Sequence, residues 1–268
     1  QNFKISARRG WSGFSGENII SGNDLDISLR NEFMNYWSFD LDIRMNPKSF
    51  DDNDLYRDSR ALVIVDEGWT SYQIGFRSDS RKRFVISPGF DYNVYSESGI
   101  GYNFKIWMSA KPNDKVNFSA YLNRRLRPNF MEWVDIYDFE DGLYDIVYAN
   151  SEQWQTNINF RLNVTLSPKM TFESFFQPFY VNMNYLNYNK ILQEKTNNLE
   201  EVYYVNDQSF QIENYVGTFV FRWEVFSGSF LYVVYNLNNN NYFENIENSW
   251  YRSNSNSFFL KYNYFFRS

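Results

Sequence analysis

The chain alternates in polarity, residue by residue. From Trp154 to Leu166, Trp154, Thr156, Ile158, Phe160, Leu162, Val164 and Leu166 fall on one side of an extended chain, opposite Gln155, Asn157, Asn159, Arg161, Asn163 and Thr165. Trp37 to Asn46 repeats the pattern, with Trp37, Phe39, Leu41, Ile43 and Met45 set against Ser38, Asp40, Asp42, Arg44 and Asn46. Tyr215 to Val225 repeats it again, with Tyr215, Gly217, Phe219, Phe221, Trp223 and Val225 set against a face that includes Thr218, Arg222 and Glu224. A period of two is the repeat of a β-strand with one apolar and one wet surface. Strands in soluble sandwiches run about 5–6 residues, whereas these alternate over about 10–13, the reach of a tilted strand across a bilayer.

Read this way, strands fall at roughly 2–9, 24–33, 36–46, 69–78, 83–95, 101–110, 115–124, 152–166, 171–184, 214–226, 229–238 and 255–267, about 12 in all. Tight connections at Met34-Asn35, 79–82, 111–114, 167–170 and Ser227-Gly228 carry turn formers. They alternate with long ones at 10–23, 47–68, 125–151, 185–213 and 239–254, with 96–100 a short member of that set. Short turns on one side and long loops on the other are the pattern of a bacterial outer-membrane barrel, with periplasmic turns and extracellular loops. The expected fold is therefore an all-β, antiparallel transmembrane β-barrel, complete at about 12 strands or forming part of a larger one, with residues 1–268 as one unit.

An even strand count returns the C-terminus to the periplasm, where the last strand meets the first. Its outward face would carry Phe258, Leu260, Tyr262, Tyr264 and Phe266, followed by Arg267 and Ser268. An alternating run that ends in an aromatic residue resembles the signal read by barrel-assembly machinery, which makes Leu260, Tyr262, Tyr264 and Phe266 the candidate assembly signal and that machinery a partner during biogenesis.

Composition supports the same medium and narrows the chemistry. Eight Trp, 22 Tyr and 27 Phe make 21% of the chain aromatic, although its mean hydropathy is −0.57; amphipathic rings are the residues that settle at bilayer interfaces. There is no Cys and no His, which removes disulfides, thiolate sites and every triad that needs an imidazole. A net charge of −6 argues against a nucleic-acid partner. Neighbouring carboxylates such as Glu140 and Asp141 do not define the separation that glycosidase chemistry needs, so no enzyme activity, metal site or cofactor is expected.

Three segments resemble a known family: NYWSFDLDIRMNPKSFDD (35–52) followed by FRSDSRKRF (76–84); QTNINFRLNVTLSPKMTFESFFQPF (155–179), which ends in Gln177-Pro178-Phe179; and VGTFVFRWEVFSGSFLYVVY (216–235), with Arg222-Trp223-Glu224. They are similar to the Bacteroidota outer-membrane family called domain of unknown function 5916. The third segment carries Ser227-Gly228-Ser229 where the family usually shows Pro-Gly-Ser. The resemblance implies a barrel behind an N-terminal family-nine-like carbohydrate-binding domain, and this chain as the C-terminal portion of a longer protein.

The wet face offers Arg44, Lys105, Arg161, Glu173, Arg222, Glu224 and Lys261 as candidate lumen-facing groups, able to set selectivity or to pair with one another. Loop carboxylates group at Asp51, Asp52 and Asp54 and at Asp135, Asp138, Glu140, Asp141 and Asp145, and Trp133, Tyr137 and Tyr144 could stack on sugars. No spacing among these carboxylates matches a calcium loop. The Asn238–Asn241 run reads as polar loop. The expected function is an integral outer-membrane channel or surface receptor for glycan or nutrient handling, surrounded by outer-membrane lipid. The alternative is a non-enzymatic scaffold subunit of an outer-membrane assembly or export complex, with other outer-membrane proteins as partners.

Overall fold

The computed structural model describes residues 2–12, 19–51, 63–138 and 144–266, with no α-helix among them. In chain order the strands are β1 (Asn2–Ser12), β2 (Ile19–Glu32), β3 (Ser38–Asn46), the short pair β4 (Ser49–Asp51) and β5 (Ile64–Asp66), β6 (Trp69–Arg77), β7 (Phe84–Tyr95) and β8 (Gly99–Asn113). They continue as β9 (Val116–Asp138), β10 (Tyr144–Ser167), β11 (Met170–Ile191), β12 (Leu199–Glu201), β13 (Phe210–Phe226), β14 (Ser229–Glu244), β15 (Ser249–Asn254) and β16 (Ser257–Asn263). All but β4 and β5 belong to one 14-stranded antiparallel sheet, in which each long strand pairs with its neighbours in sequence. β15 and β16 lie along the same side of β14, on Asn239–Glu244 and Phe230–Asn236 respectively, so the wall is twelve strands wide.

Antiparallel pairing throughout makes β1 and β16 run in opposite directions, as closure of a barrel requires. Within the described residues β1 pairs only with β2 and β16 only with β14, so no ladder joins the two edges there.

The alternation translates into two faces because side chains two apart point the same way. In register, Ile43, Tyr72, Tyr92, Tyr102, Leu126 and Trp154 form one row across the apolar face of β3 to β10. Tyr72 and Tyr92 rings lie 6.5 Å apart, and Tyr102 meets Trp154 edge-on at 6.0 Å. Further along, Tyr180 and Tyr215 meet edge-on at 5.8 Å with their hydroxyls 3.2 Å apart. These rings form an aromatic row on the half of the wall toward the long loops.

Three expectations from sequence need correction. The segment 125–151 is largely strand and the segment 185–213 about half strand: β9 runs 23 residues, β10 24 and β11 22. Bulges between Val147/Tyr148, Ser151/Gln153 and Asn150/Ser151, with Asn129 at φ 37°, shift the phase of the alternation and so conceal the strands. The Asn238–Asn241 run is part of β14, paired to Tyr215, Asn214 and Glu213 among others. The last strand ends at Asn263; Leu260 and Tyr262 lie on it, while Tyr264 and Phe266 follow it, their rings 4.5 Å apart.

Buried apolar residues gather in the tall part of β9 to β11 and the segments near it: Val63, Phe130, Val147, Tyr148, Ala149, Met183 and Tyr204 are all 7% exposed or less. Elsewhere the apolar face stays exposed, as Phe84, Phe160, Phe226 and Phe258 illustrate.

Candidate functional site

On β1 to β3 the polar face is a ladder of opposed charges fixed by register. Arg8 lies opposite Asp24 and Arg44 opposite Asp26, and each pair is bonded, the second at 2.5 Å. Ser28 Oγ donates to Asp42 at 2.5 Å, and Arg30 reaches Asp40 at 3.2 Å. Directly opposed charges stabilise an antiparallel pair by a few tenths of a kcal/mol to about 1 kcal/mol each.

From β7 to β11 amides take over. Asn123 donates to Asn103 at 2.6 Å, Asn103 donates to Asp91 at 2.9 Å, and Lys105 pairs with Asp91 at 2.9 Å. Gln177 donates to Asn157 at 3.3 Å. On β11, β13 and β14 the same face is less polar than the alternation implied: Phe175, Phe179, Val181, Ile212, Val216, Val220, Tyr232 and Val234 share it with Gln177, Thr218 and Asn236.

At the loop end this face opens into a cavity of about 590 Å³. Its lining combines Asp66, Glu67, Asp91, Asn93, Asn103, Arg125 and Arg127 with the rings of Trp69, Tyr95 and Phe130. Arg127 is held over the Phe130 ring at 3.7 Å and lies 3.8 Å from Glu132. Burial pushes the Asp66 carboxyl above its ordinary value, and the charge of Asp51 adds to the rise.

The cavity exists because separate connections are tied together over the sheet. Glu67 accepts from the backbone N–H of Glu97 at 2.6 Å and of Ser98 at 2.9 Å, and also from the Ser98 hydroxyl. Glu97 in turn accepts from Lys48 Nζ at 3.3 Å and from the Asn197 amide. The Lys195 backbone N–H, at φ 60°, donates to the Val63 carbonyl at 2.9 Å. Three connections, ahead of β6, between β7 and β8 and between β11 and β12, therefore share one hydrogen-bonded junction.

The residues singled out from sequence are spread along the wall. Arg44 and Lys105 find the carboxylates described above. Arg161 and Arg222 lie over Phe175 and Phe230, at 4.9 and 4.2 Å from the ring centroids. Glu224 accepts from the Gly228 N–H at 3.0 Å and so caps the β13–β14 turn. Glu173 is exposed and lies opposite Asn163 and Val220, and Lys261 is exposed on β16 opposite Tyr232. None of the seven lines the cavity.

Among the loop residues, Asp51 lines the cavity. Asp135 accepts from the Tyr204 hydroxyl at 2.6 Å, Asp145 is 3.7 Å from Lys190, and the Tyr137 ring meets Tyr204 edge-on at 5.2 Å. Burial and the Asp135 contact push the Tyr204 hydroxyl up to about 12. Trp133 is on β9 and not in a loop. Asp52, Asp54, Glu140 and Asp141 lie outside the described residues, as do the side chains of Asp138 and Tyr144. Sequence reasoning missed Glu67, Glu97 and Asn197, which stand alone in three separate connections.

The family described as Domain of unknown function (DUF5916) matches residues 1–267. No curated protein matches the chain. Among solved structures, the NanC porin is 12% identical with a TM-score of 0.26, over 88% of each chain. The copper transporter OprC is 10% identical with a TM-score of 0.46, over 98% of this chain and 43% of its own. The chain thus spans less than half of OprC.

Proposed function

The chain belongs to the DUF5916 family, and from that premise we propose that it is the wall of an outer-membrane β-barrel, with the long loops extracellular and the C-terminus periplasmic, that serves as a non-enzymatic channel or surface receptor for glycans or related neutral nutrients. The observation that carries the reading is the cavity at the loop end of the polar face, where amides and carboxylates sit beside the half-buried rings of Trp69 and Tyr95. Planar polar groups can bond adjacent hydroxyls, and rings take the apolar faces of sugars; a few placed polar groups among aromatic surfaces are the general make-up of a ligand site. The amide-rich path below it, Asn103, Asn123, Asn157 and Gln177, offers donors and acceptors without fixed charge.

The test is made on the full-length protein reconstituted in planar bilayers and vesicles, with conductance, oligosaccharide uptake and glycan binding recorded together. A protein that passes neither ions nor sugars and binds no glycan overturns the reading.

The open edges favour a second reading, a scaffold subunit. β1 and β16 each present an unpaired edge within the described residues, and exposed strand edges recruit other strands. A stoichiometric partner retained through purification in mild detergent, with no transport, supports that reading; a barrel purified alone counts against it.

A further inference from the structure

The apolar face carries a few charges, among them Glu152 on β10, Glu213 on β13 and Arg124 on β9. Arg124 on β9 shares that face with Leu122 and Leu126, and its register neighbours are Phe104 on β8 and Thr156 on β10. It is exposed and forms no ion pair among the described residues. Its guanidinium carbon lies 5.2 Å from the centre of the Trp154 ring, which meets Tyr102 edge-on at 6.0 Å. The Trp154 indole N–H donates to Glu152 at 2.9 Å, which fixes the ring that Arg124 rests on.

Position along the strand gives the charge its meaning. At ~3.4 Å per residue and a tilt near 40°, Arg124 stands about 20 Å above the β8–β9 turn, close to the upper limit of an apolar band about 25 Å tall. Tyr102 and Trp154 stand higher, in the aromatic row. A cation among rings at that level meets headgroups and not acyl chains, and a guanidinium presents a planar fork matched to phosphate oxygens.

We propose that Arg124, braced by Trp154 and Tyr102, binds the phosphate of an anionic lipid headgroup in the outer leaflet. The proposal rests on the membrane reading above. It gives the chain a fixed lipid contact on β9, the strand whose opposite face supplies Arg125 and Arg127 to the cavity.

The test uses the full-length protein in detergent, titrated with phosphatidylglycerol and read by native mass spectrometry as lipids retained per barrel. Arg124→Gln is compared with wild type, with Arg124→Lys, and with Arg30→Gln on the polar face. A basic residue near anionic headgroups contributes about 1 kcal/mol, so Arg124→Gln should retain the lipid about fivefold more weakly. Arg124→Lys, which keeps the charge and loses the fork, should fall between the two, and should carry the comparison if Arg124→Gln fails to fold. Arg30→Gln should match wild type, and millimolar inorganic phosphate should not displace the lipid. Equal retention by wild type and the Arg124 variants overturns the site. Displacement by inorganic phosphate reassigns it to the free anion, and equal retention of a phosphate-free glucosyl diacylglycerol overturns phosphate recognition. A protein that stays soluble without detergent and does not enter vesicles overturns the membrane reading and this site with it, whereas insertion without selective retention overturns this site alone.

Discussion

The side-chain amide of Asn197 donates to the carboxylate of Glu97, one hundred residues away in the chain. That bond closes a junction in which Glu97 also holds Lys48, and Glu67 holds the backbone of Glu97 and Ser98. Since Glu97, Asn197 and Glu67 all line the cavity, its mouth is as firm as these few bonds.

Replacing Glu97 by Ala should therefore loosen the mouth without unfolding the sheet. Both partners are exposed, so each lost bond costs about 0.5–1.5 kcal/mol locally. Limited proteolysis within 192–198 should quicken several-fold while the global unfolding transition keeps its midpoint. An unchanged cleavage rate would mean that the junction does not hold the connection.

The same geography marks what the sequence discloses. The alternation on β3, β10 and β13 needed only adjacent residues, and the turn formers between strands gave the connectivity of the wall. The upper parts of β9 and β10 were hidden because the bulges near Asn129 and Ser151 flip the parity by which a strand is recognised. The mixed face of β11 and β13 was hidden for a related reason: Phe175 and Val220 join the polar face only once register with Thr218 and Val234 is known. The cavity was illegible altogether, since Glu67, Glu97 and Asn197 form no motif and meet only when distant connections fold over one end of the wall.

Two carboxylates should give the ends of the wall opposite responses to acid. At the turn end, Asp79 is held at about 2, chiefly by the Arg81 side chain, which chelates it at 2.9 Å and lies over the Tyr36 ring. Its folded value is depressed, so its contribution is present above its ordinary 3.8 and is lost as pH falls toward 2. Asp66 is raised by burial, so the folded state binds its proton more readily, and the β4–β5 pair gains stability as pH falls from neutral toward 3.8. Amide exchange corrected for intrinsic rates should show residues 64–66 more protected at pH 5 than at pH 7, with 79–82 unchanged over that interval. Equal or reversed protection of 64–66 would contradict the burial of Asp66.

Gly101 tests how tightly β8 is packed beneath the cavity. A Cβ there would stand 3.0 Å from the Leu126 carbonyl oxygen, 3.0 Å from Tyr95 Cε2 and 3.2 Å from Pro128 Cδ. Two of those neighbours are backbone or ring-locked, so the strain cannot be relieved by one flexible side chain. Gly101→Ala should cost about 1–3 kcal/mol, the usual range for overpacking, read as a lower urea midpoint for unfolding from vesicles. A midpoint within error of wild type would show that β8 and β9 can separate at this level.

The assignment of faces can be tested at adjacent positions. Leu162 and Asn163 are neighbours on β10, and a period of two sends their side chains to opposite sides: Leu162 lies opposite Phe118 and Ser174, Asn163 opposite Asn117 and Glu173. At ~3.4 Å per residue along a strand tilted near 40°, Leu162 stands about 13 Å above the β10–β11 turn, at the middle of the apolar band. A cation on the lipid side at that depth costs about 2–4 kcal/mol. Leu162→Arg should therefore lower vesicle-based stability by that amount. Asn163→Arg meets water and the Glu173 carboxylate on the other side, and should change stability by less than about 1 kcal/mol. Both substitutions introduce the same residue into the same strand within one pleat, so propensity and tilt cancel and only the medium differs. Equal costs at the two positions would mean that lipid does not cover the Leu162 side, and reversed costs would turn the sheet inside out.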